Sequence, residues 1–239
     1  KLTFNLQRLK LSDISFRYTD NASHTAASIG NMDFDARGIL SPSLTGDMDI
    51  NLAVTGIDAC IGDTTQTEAD IADIRLTGTA GINNPTVNGN GNLTCTGIKM
   101  ASGDLRAESD KISLDFDGSS NLKDKLLNGT LGMDIVKAVM KSVSMEASSR
   151  QMTLQINADG SYETGHPVTA ALEGSSDNIA FLLKGENPME THLNGLSLEG
   201  NAKVLLSELD GDLDMSIRSN ALDFRMAGEN PVTLLSQAI

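Results

Sequence analysis

A short segment of alternating apolar and polar residues recurs about every forty residues along this chain. Its copies are Met32-Asp-Phe34-Asp-Ala36-Arg-Gly38, Ala72-Asp-Ile74-Arg-Leu76-Thr-Gly78, Ile112-Ser-Leu114-Asp-Phe116-Asp-Gly118 and Met152-Thr-Leu154-Gln-Ile156-Asn-Ala158. Weaker copies begin at Leu196 and Leu222. Alternation with a period of two is typical of a strand that buries one face. The repeat therefore predicts an all-β fold, an elongated antiparallel repeat sheet with about forty residues per repeat. It would form either a curled groove or a two-layer sandwich.

The repeats predict one repeat-built β domain over residues 1–239, as a fragment of a longer chain. The approximate repeats are 1–38, 39–78, 79–118, 119–158, 159–200 and 201–239. Each is expected to hold three or four short strands, with Asn88-Gly89 and Asn128-Gly129 forming hairpin turns. Residues 131–145 are interpreted as strand with the odd positions on one face, although 136–140 would also suit a short helix. Residues 232–239 suit either a strand or a helix.

The composition limits which partners the chain can have. Eighteen basic and thirty-two acidic residues give a net charge of −14, and such a surface repels the phosphates of nucleic acids and anionic headgroups. Tryptophan is absent and methionine occurs ten times, so the apolar face must consist mainly of Leu, Ile, Val and Met. We expect no nucleic-acid partner.

The residues that usually carry catalysis or bind metals do not form a recognisable motif. His24, His166 and His192 are scattered, and the aspartates of Asp210-Gly-Asp212-Leu-Asp214 lack the Gly and Glu that complete an EF-hand calcium loop. The pairs Asp33/Asp35 and Asp115/Asp117 have a spacing that would serve a glycosidase, but they recur with the repeat, which favours a role in solubility. Cys60 and Cys95 are interpreted as small apolar residues on strands, with a disulfide as the alternative. We expect no enzyme activity, no cofactor and no metal.

A sheet with one apolar face must cover that face with a second layer, by curling, or with a ligand, and no helical periodicity supplies a cover. The sequence predicts that Phe34, Leu76, Phe116, Ile156, Leu198 and Phe224 point to the apolar side. It predicts that Asp33, Arg75, Asp115 and Glu199 point to water. A one-residue change of register would invert both sets.

The opening segment resembles a known family. Leu6-Gln-Arg-Leu9-Lys-Leu11-Ser-Asp-Ile14-Ser-Phe16-Arg-Tyr18-Thr-Asp20, followed by Ile29-Gly-Asn-Met32-Asp-Phe34-Asp-Ala36-Arg-Gly38, is similar to the start of AsmA-like proteins of the bacterial envelope. The resemblance implies a β-groove in the periplasm, anchored to the inner membrane through a segment that this chain lacks.

The same resemblance implies a function in outer-membrane assembly. The groove would hold or conduct acyl chains of phospholipid or lipopolysaccharide, and other envelope proteins or the remainder of its own chain would be further partners. The residues expected to line the groove are Met32, Phe34, Ile74, Leu76, Leu114, Phe116, Leu154 and Ile156. The alternative is a structural or adhesive cell-surface module with a closed core, and a glycan-processing enzyme is a third hypothesis.

Overall fold

The computed structural model describes residues 7–40, 45–62, 66–205, 207–208, 210–228 and 231–237, and within these ranges the protein is all-β. The strands are β1 Arg8–Asp20, β2 Thr25–Leu40, β3 Thr45–Ile61, β4 Thr67–Asn83, β5 Thr86–Ser102, β6 Leu105–Asn121, β7 Leu126–Lys141, β8 Met145–Ser161, β9 Val168–Leu183, β10 Met189–Leu205, β11 Asp210–Arg218, β12 Ala221–Met226 and β13 Val232–Gln237. All thirteen belong to one antiparallel sheet, so the predicted fold class is confirmed.

The sheet is a meander in which each strand from β1 to β10 pairs with its neighbours in sequence. The strands β11 and β12 both pair with β10, one beside 197–205 and the other beside 189–194, so together they fill one strand position. β13 pairs with β12. The order begins at β1 and ends at β13, which leaves the sheet open rather than closed on itself. The described ranges form a single open and uncurled layer, so they show neither of the two predicted forms, the curled groove or the two-layer sandwich.

The forty-residue copies lie on alternate strands, β2, β4, β6 and β8, so one unit contains two strands of 16 or 17 residues. The expectation of three or four strands per unit is wrong. Asn88-Gly89 and Asn128-Gly129 are not turns, because they lie within β5 and β7 and pair across the sheet. Gly89, Gly118 and Gly129 face one another on three neighbouring strands, so here glycine is a cross-strand packing residue rather than a chain reversal.

From β1 to the position shared by β11 and β12, the pairing of every strand is interrupted at the same level of the sheet, and we call this line the crease. Its residues are Asp13, Gly30, Gly56, Ala72, Gly97, Asp110, Lys137, Arg150, Asp177, Gly195 and Asn220. Asp13, Gly56, Gly97, Lys137 and Gly195 have φ between 52° and 63°, a left-handed conformation that interrupts the regular pleat. In β4 the less exposed residues are at odd positions up to 71 and at even positions from 74. The crease therefore shifts the alternation by one residue and keeps apolar residues on one face along the whole strand.

Three buried serines stabilise the crease. Ser109, Ser149 and Ser219 each precede a crease residue, and each hydroxyl lies within hydrogen-bond distance of the backbone carbonyl two residues further on, at 3.2, 3.3 and 3.0 Å. Ser109 also donates to the carbonyl of Val136 on the next strand, at 3.0 Å. Carbonyls near an interruption of the ladder need such partners, because an unpaired buried polar group costs free energy.

The crease corrects the interpretation of residues 131–145. β7 ends at Lys141 and β8 begins at Met145, so the stretch contains two strands and the turn between them, and no helix forms over 136–140. Because Lys137 lies at the crease, Ala138 and Met140 continue the face of Ile135, whereas Val139 turns to the other side. The odd positions share one face only up to Ile135. The C-terminal segment is a strand over Val232–Gln237.

A single layer leaves little of the molecule buried. Among the described apolar residues only Val54 and Val168 are buried, and the chain exposes 15384 Å². A compact monomer of this mass exposes about 10,300 Å². Among the described residues, no helix is long and apolar enough to cross a membrane. Most residues of the sheet are thus at least partly exposed to solvent.

Candidate functional site: the apolar face of the sheet

Cross-strand pairing arranges the apolar face into rows that run across the strands from β2 to β8. The leucine row is Phe34, Leu52, Leu76, Leu93, Leu114, Met133 and Leu154; the isoleucine row is Met32, Val54, Ile74, Cys95, Ile112, Ile135 and Met152; the glycine row is Ala36, Ile50, Gly78, Gly91, Phe116, Leu131 and Ile156. All eight residues predicted to line the groove lie in these three adjacent rows. The structure brings them onto one continuous face.

Three of the seven residues in each row were not identified by the repeat. Leu52, Leu93 and Met133 of the leucine row belong to the odd-numbered strands, which carry no copy of the forty-residue pattern. They alternate in the same way, so the signal was present in the sequence. The sequence could not assign these residues to a row, because only the strand register shows that Leu52 lies between Phe34 and Leu76.

The face is only half covered. Five of the residues predicted to lie on the apolar side are half-buried: Phe34, Leu76, Ile156, Leu198 and Phe224. Three of the residues predicted to point to water are exposed: Arg75, Asp115 and Glu199. These assignments agree with the predicted faces.

Two assignments differ from the prediction. Phe116 is 41% exposed, because its cross-strand neighbour Gly91 has no side chain to flank it; the ring lies so close to Gly91 that a methyl group there would overlap it. Asp33 is half-buried rather than in water, since its carboxylate accepts hydrogen bonds from the backbone NH of Asp13 at 3.0 Å and from the Asn31 amide at 3.1 Å.

On the same face, across the crease from the leucine row, the sheet forms an apolar hollow of about 390 Å³. Its lining combines small residues with long flexible or branched ones. The small ones include Ala107, Ser109, Ala138, Ala147 and Ser149, and the larger ones include Ile98, Met100, Ile112, Met140, Met152 and Ile179. The serine hydroxyls already bond within the sheet, so the hollow presents an almost entirely hydrocarbon surface. Ligand sites commonly enclose about 300–1,000 Å³.

The opposite face of the sheet is polar, and several of its charges are paired. Asp35 accepts hydrogen bonds from Arg8 at 2.8 Å and from Arg37 at 2.7 Å, and these two guanidiniums, Arg8 first, hold the pKa of the Asp35 carboxyl far below its usual range. Asp115 accepts a bond from the Asn92 amide at 2.7 Å. Both members of the first predicted carboxylate pair, Asp33 and Asp35, and Asp115 of the second are therefore engaged within the sheet.

The described residues contain no group of three His, Cys, Asp or Glu side chains that could hold a metal ion. Cys60 on β3 and Cys95 on β5 are free thiols, so the disulfide alternative is wrong. Cys95 belongs to the isoleucine row, where burial, and secondarily Asp73, raises the pKa of its thiol. His192 contacts Glu190 at 2.8 Å on the surface.

Comparison with known proteins identifies no relative: no family model, no curated protein and no solved structure matches this chain. The functional conclusion therefore depends on the chemistry of the apolar face and on the resemblance of the opening segment.

Proposed function

We propose that this protein is a non-enzymatic periplasmic β-groove module of the AsmA-like kind, which holds or conducts lipid acyl chains for outer-membrane assembly. The observation that carries the proposal is the apolar face, which is continuous from β2 to β8 and half-exposed. Residues 4–38, which resemble the AsmA-like opening, support the periplasmic setting and an inner-membrane anchor outside these 239 residues. The acyl chains would be those of phospholipid or lipopolysaccharide.

The chemistry of the face suits a hydrocarbon ligand. The leucine row offers no polar side chain from Phe34 to Leu154, so a polar ligand would lose its hydration there without gaining hydrogen bonds. An acyl chain has no polar atoms to desolvate, and it gains about 25 cal/mol for each Å² of apolar surface removed from water. The apolar hollow is also lined by Met100, Met140 and Met152, whose flexible side chains adapt to a ligand without fixed shape.

A closed-core structural module is supported less well. Its core would need a second apolar layer over the leucine row, and the described residues supply none. An enzyme would need a pocket with unpaired catalytic groups, whereas Asp33 and Asp35 are both engaged by neighbours.

The test compares neighbouring residues on opposite faces. A photo-crosslinking side chain at Leu114 should capture phospholipid or lipopolysaccharide in cells, and the same group at Asp115 should capture neither. Leu76→Asp should leave the protein folded, because Leu76 is half-exposed and its charge can reach water, but should abolish lipid co-purification measured by mass spectrometry. Thr77→Asp, on the polar face of the same strand, is the matched control. Absence of any lipid adduct at the eight predicted positions in folded protein contradicts the proposal.

A further inference from the structure

The two long edges of the sheet are built differently. The edge strand β1 shifts register twice, between Leu11 and Ile14 and again between Ile14 and Phe16, and Asp13 takes a left-handed conformation with φ of 57°. It also carries Arg8, Lys10 and Arg17. Irregular backbone and basic side chains are the features by which proteins prevent another strand from adding to an edge. β1 is a protected edge.

Along β11 the opposite edge has a regular backbone, and its one basic side chain is Arg218 at the end of the strand. Its nine residues, Asp210–Arg218, pair with β10 without a shift of register, and all nine are exposed. β13 pairs with β12 and leaves the outer side of β11 without a partner strand among the described residues. The edge therefore extends one strand further beside β12 than it does at β11. At β11 it presents a regular row of backbone NH and CO groups.

The side chains of β11 divide by face. Leu213, Met215 and Ile217 are 61%, 49% and 58% exposed and lie on the apolar side, where Ile217 pairs with Leu198. The aspartates at 210, 212 and 214 lie on the polar side at successive alternate positions. Large exposed apolar side chains beside unpaired backbone groups are what a docked strand would cover.

We propose that β11 accepts an extended segment of another polypeptide, which adds as an antiparallel strand and alternates apolar with basic residues. Its apolar side chains would lie beside Leu213, Met215 and Ile217 and continue the apolar face by one strand. Its basic side chains would lie opposite Asp212 and Asp214, where they complement the charge. This is a protein-binding site, separate from the lipid-binding function proposed above.

The probe is the fluorescently labelled peptide Glu-Val-Ser-Ile-Lys-Leu-Lys. When it runs antiparallel to β11, its Glu lies opposite Arg218 and its two Lys opposite Asp214 and Asp212. The control peptide has the same composition with the apolar residues consecutive, so that it cannot place them all on one face. Fluorescence anisotropy should show saturable binding of the probe and at least about tenfold weaker binding of the control.

Charge reversal tests the site within the protein. The double variant Asp212→Lys/Asp214→Lys should bind the probe about tenfold less tightly and should prefer a peptide with Glu in place of both Lys. Asp47→Lys/Asp49→Lys on the interior strand β3 is the matched control and should bind the probe like the unaltered protein. Hydrogen exchange should show new protection at alternate amides of β11, because alternate residues of an edge strand direct their NH outward.

Three results would overturn the proposal. They are equal binding of the probe and the control peptide, protection that appears elsewhere than β11, and self-association of the protein through β11 that Asp212→Lys/Asp214→Lys abolishes. The last result would show that a second copy occupies the edge. None of these results bears on lipid capture at Leu114, so this proposal and the proposed function fail separately.

Discussion

Gly56 and Gly97 provide a matched test of the crease. Both adopt φ of 63°, so alanine at either position carries the same backbone penalty. They differ in what the new methyl group meets. At Gly97 it would lie 2.7 Å from the Cβ of Ala72, whereas at Gly56 its nearest neighbour is the Cα of Gly30 at 3.6 Å, an ordinary contact.

The two variants should therefore differ in stability. A left-handed conformation costs an L-residue about 1–2 kcal/mol, and the loss of glycine freedom in the unfolded chain returns about 0.4–1 kcal/mol. Gly56→Ala should thus lower the free energy of unfolding by about 1 kcal/mol. Gly97→Ala adds an overpacking cost of about 1–3 kcal/mol, because β4 cannot move away without disturbing its own ladder.

The assay is urea unfolding followed by far-UV circular dichroism, with equal m-values as the check that both variants unfold the same structure. The background Ala72→Gly removes the clashing methyl group, so in it Gly97→Ala should cost no more than Gly56→Ala costs alone. This double-mutant cycle isolates the contact. Equal losses for the two single variants, or no rescue by Ala72→Gly, would refute the alignment of crease residues across β4 and β5.

Three further outcomes follow from individual contacts. Arg8 and Arg37 lower the pKa of Asp35 in the folded protein, so its ion pairs stabilise the fold above the ordinary carboxyl pKa of about 4. This stabilisation is lost as the pH falls toward the folded pKa. Asp35→Asn should therefore make the free energy of unfolding, measured by urea titration, depend less on pH on the acid side. Ser149→Ala should lower the free energy of unfolding by about 1 kcal/mol, measured by the same urea assay, since the hydroxyl bonds at the crease. The raised pKa of Cys95 should make maleimide labelling slower in the native protein than in urea, and equal rates would contradict its burial.

The alternation in the sequence was enough to predict an antiparallel sheet and the apolar face of its even strands. Residues such as Leu76 and Leu154 alternate regularly over five or more positions, and a period of two leaves only two choices of face. The repeat predicted the order of the strands in the sheet only in part. Long strands with glycine inside them were divided into shorter ones, because Gly89 and Gly129 have the sequence of a turn and the environment of a strand.

The crease could not be predicted from one strand alone. In β4 the apolar residues change from odd positions, as at Ile71, to even positions, as at Ile74. In one strand alone, such a change looks the same as a loop or as an irregular pattern. It acquires meaning only when the register places Gly56, Ala72 and Gly97 side by side, so that the same change occurs at one level in neighbouring strands. Non-glycine residues with positive φ, such as Lys137, carry no sequence signal for that conformation. The apolar hollow lies beside the crease and was missed for the same reason.

The direction of the rows bears on whether the face stores lipid or conducts it. The rows run across the strands, and neighbouring strands are about 4.8 Å apart, so the leucine row extends for about 29 Å from β2 to β8. Leu52, Leu76, Leu93 and Leu114 present nearly the same side chain at each step, and an acyl chain that moves by one strand exchanges one leucine contact for another. An acyl chain on such a row has no strongly preferred position, and this favours its movement along the row. The apolar hollow lies across the crease from this row, and its small residues would let an acyl chain make more contacts there and stay longer. Under the function proposed above, the leucine row would let acyl chains move across the sheet and the apolar hollow would retain them.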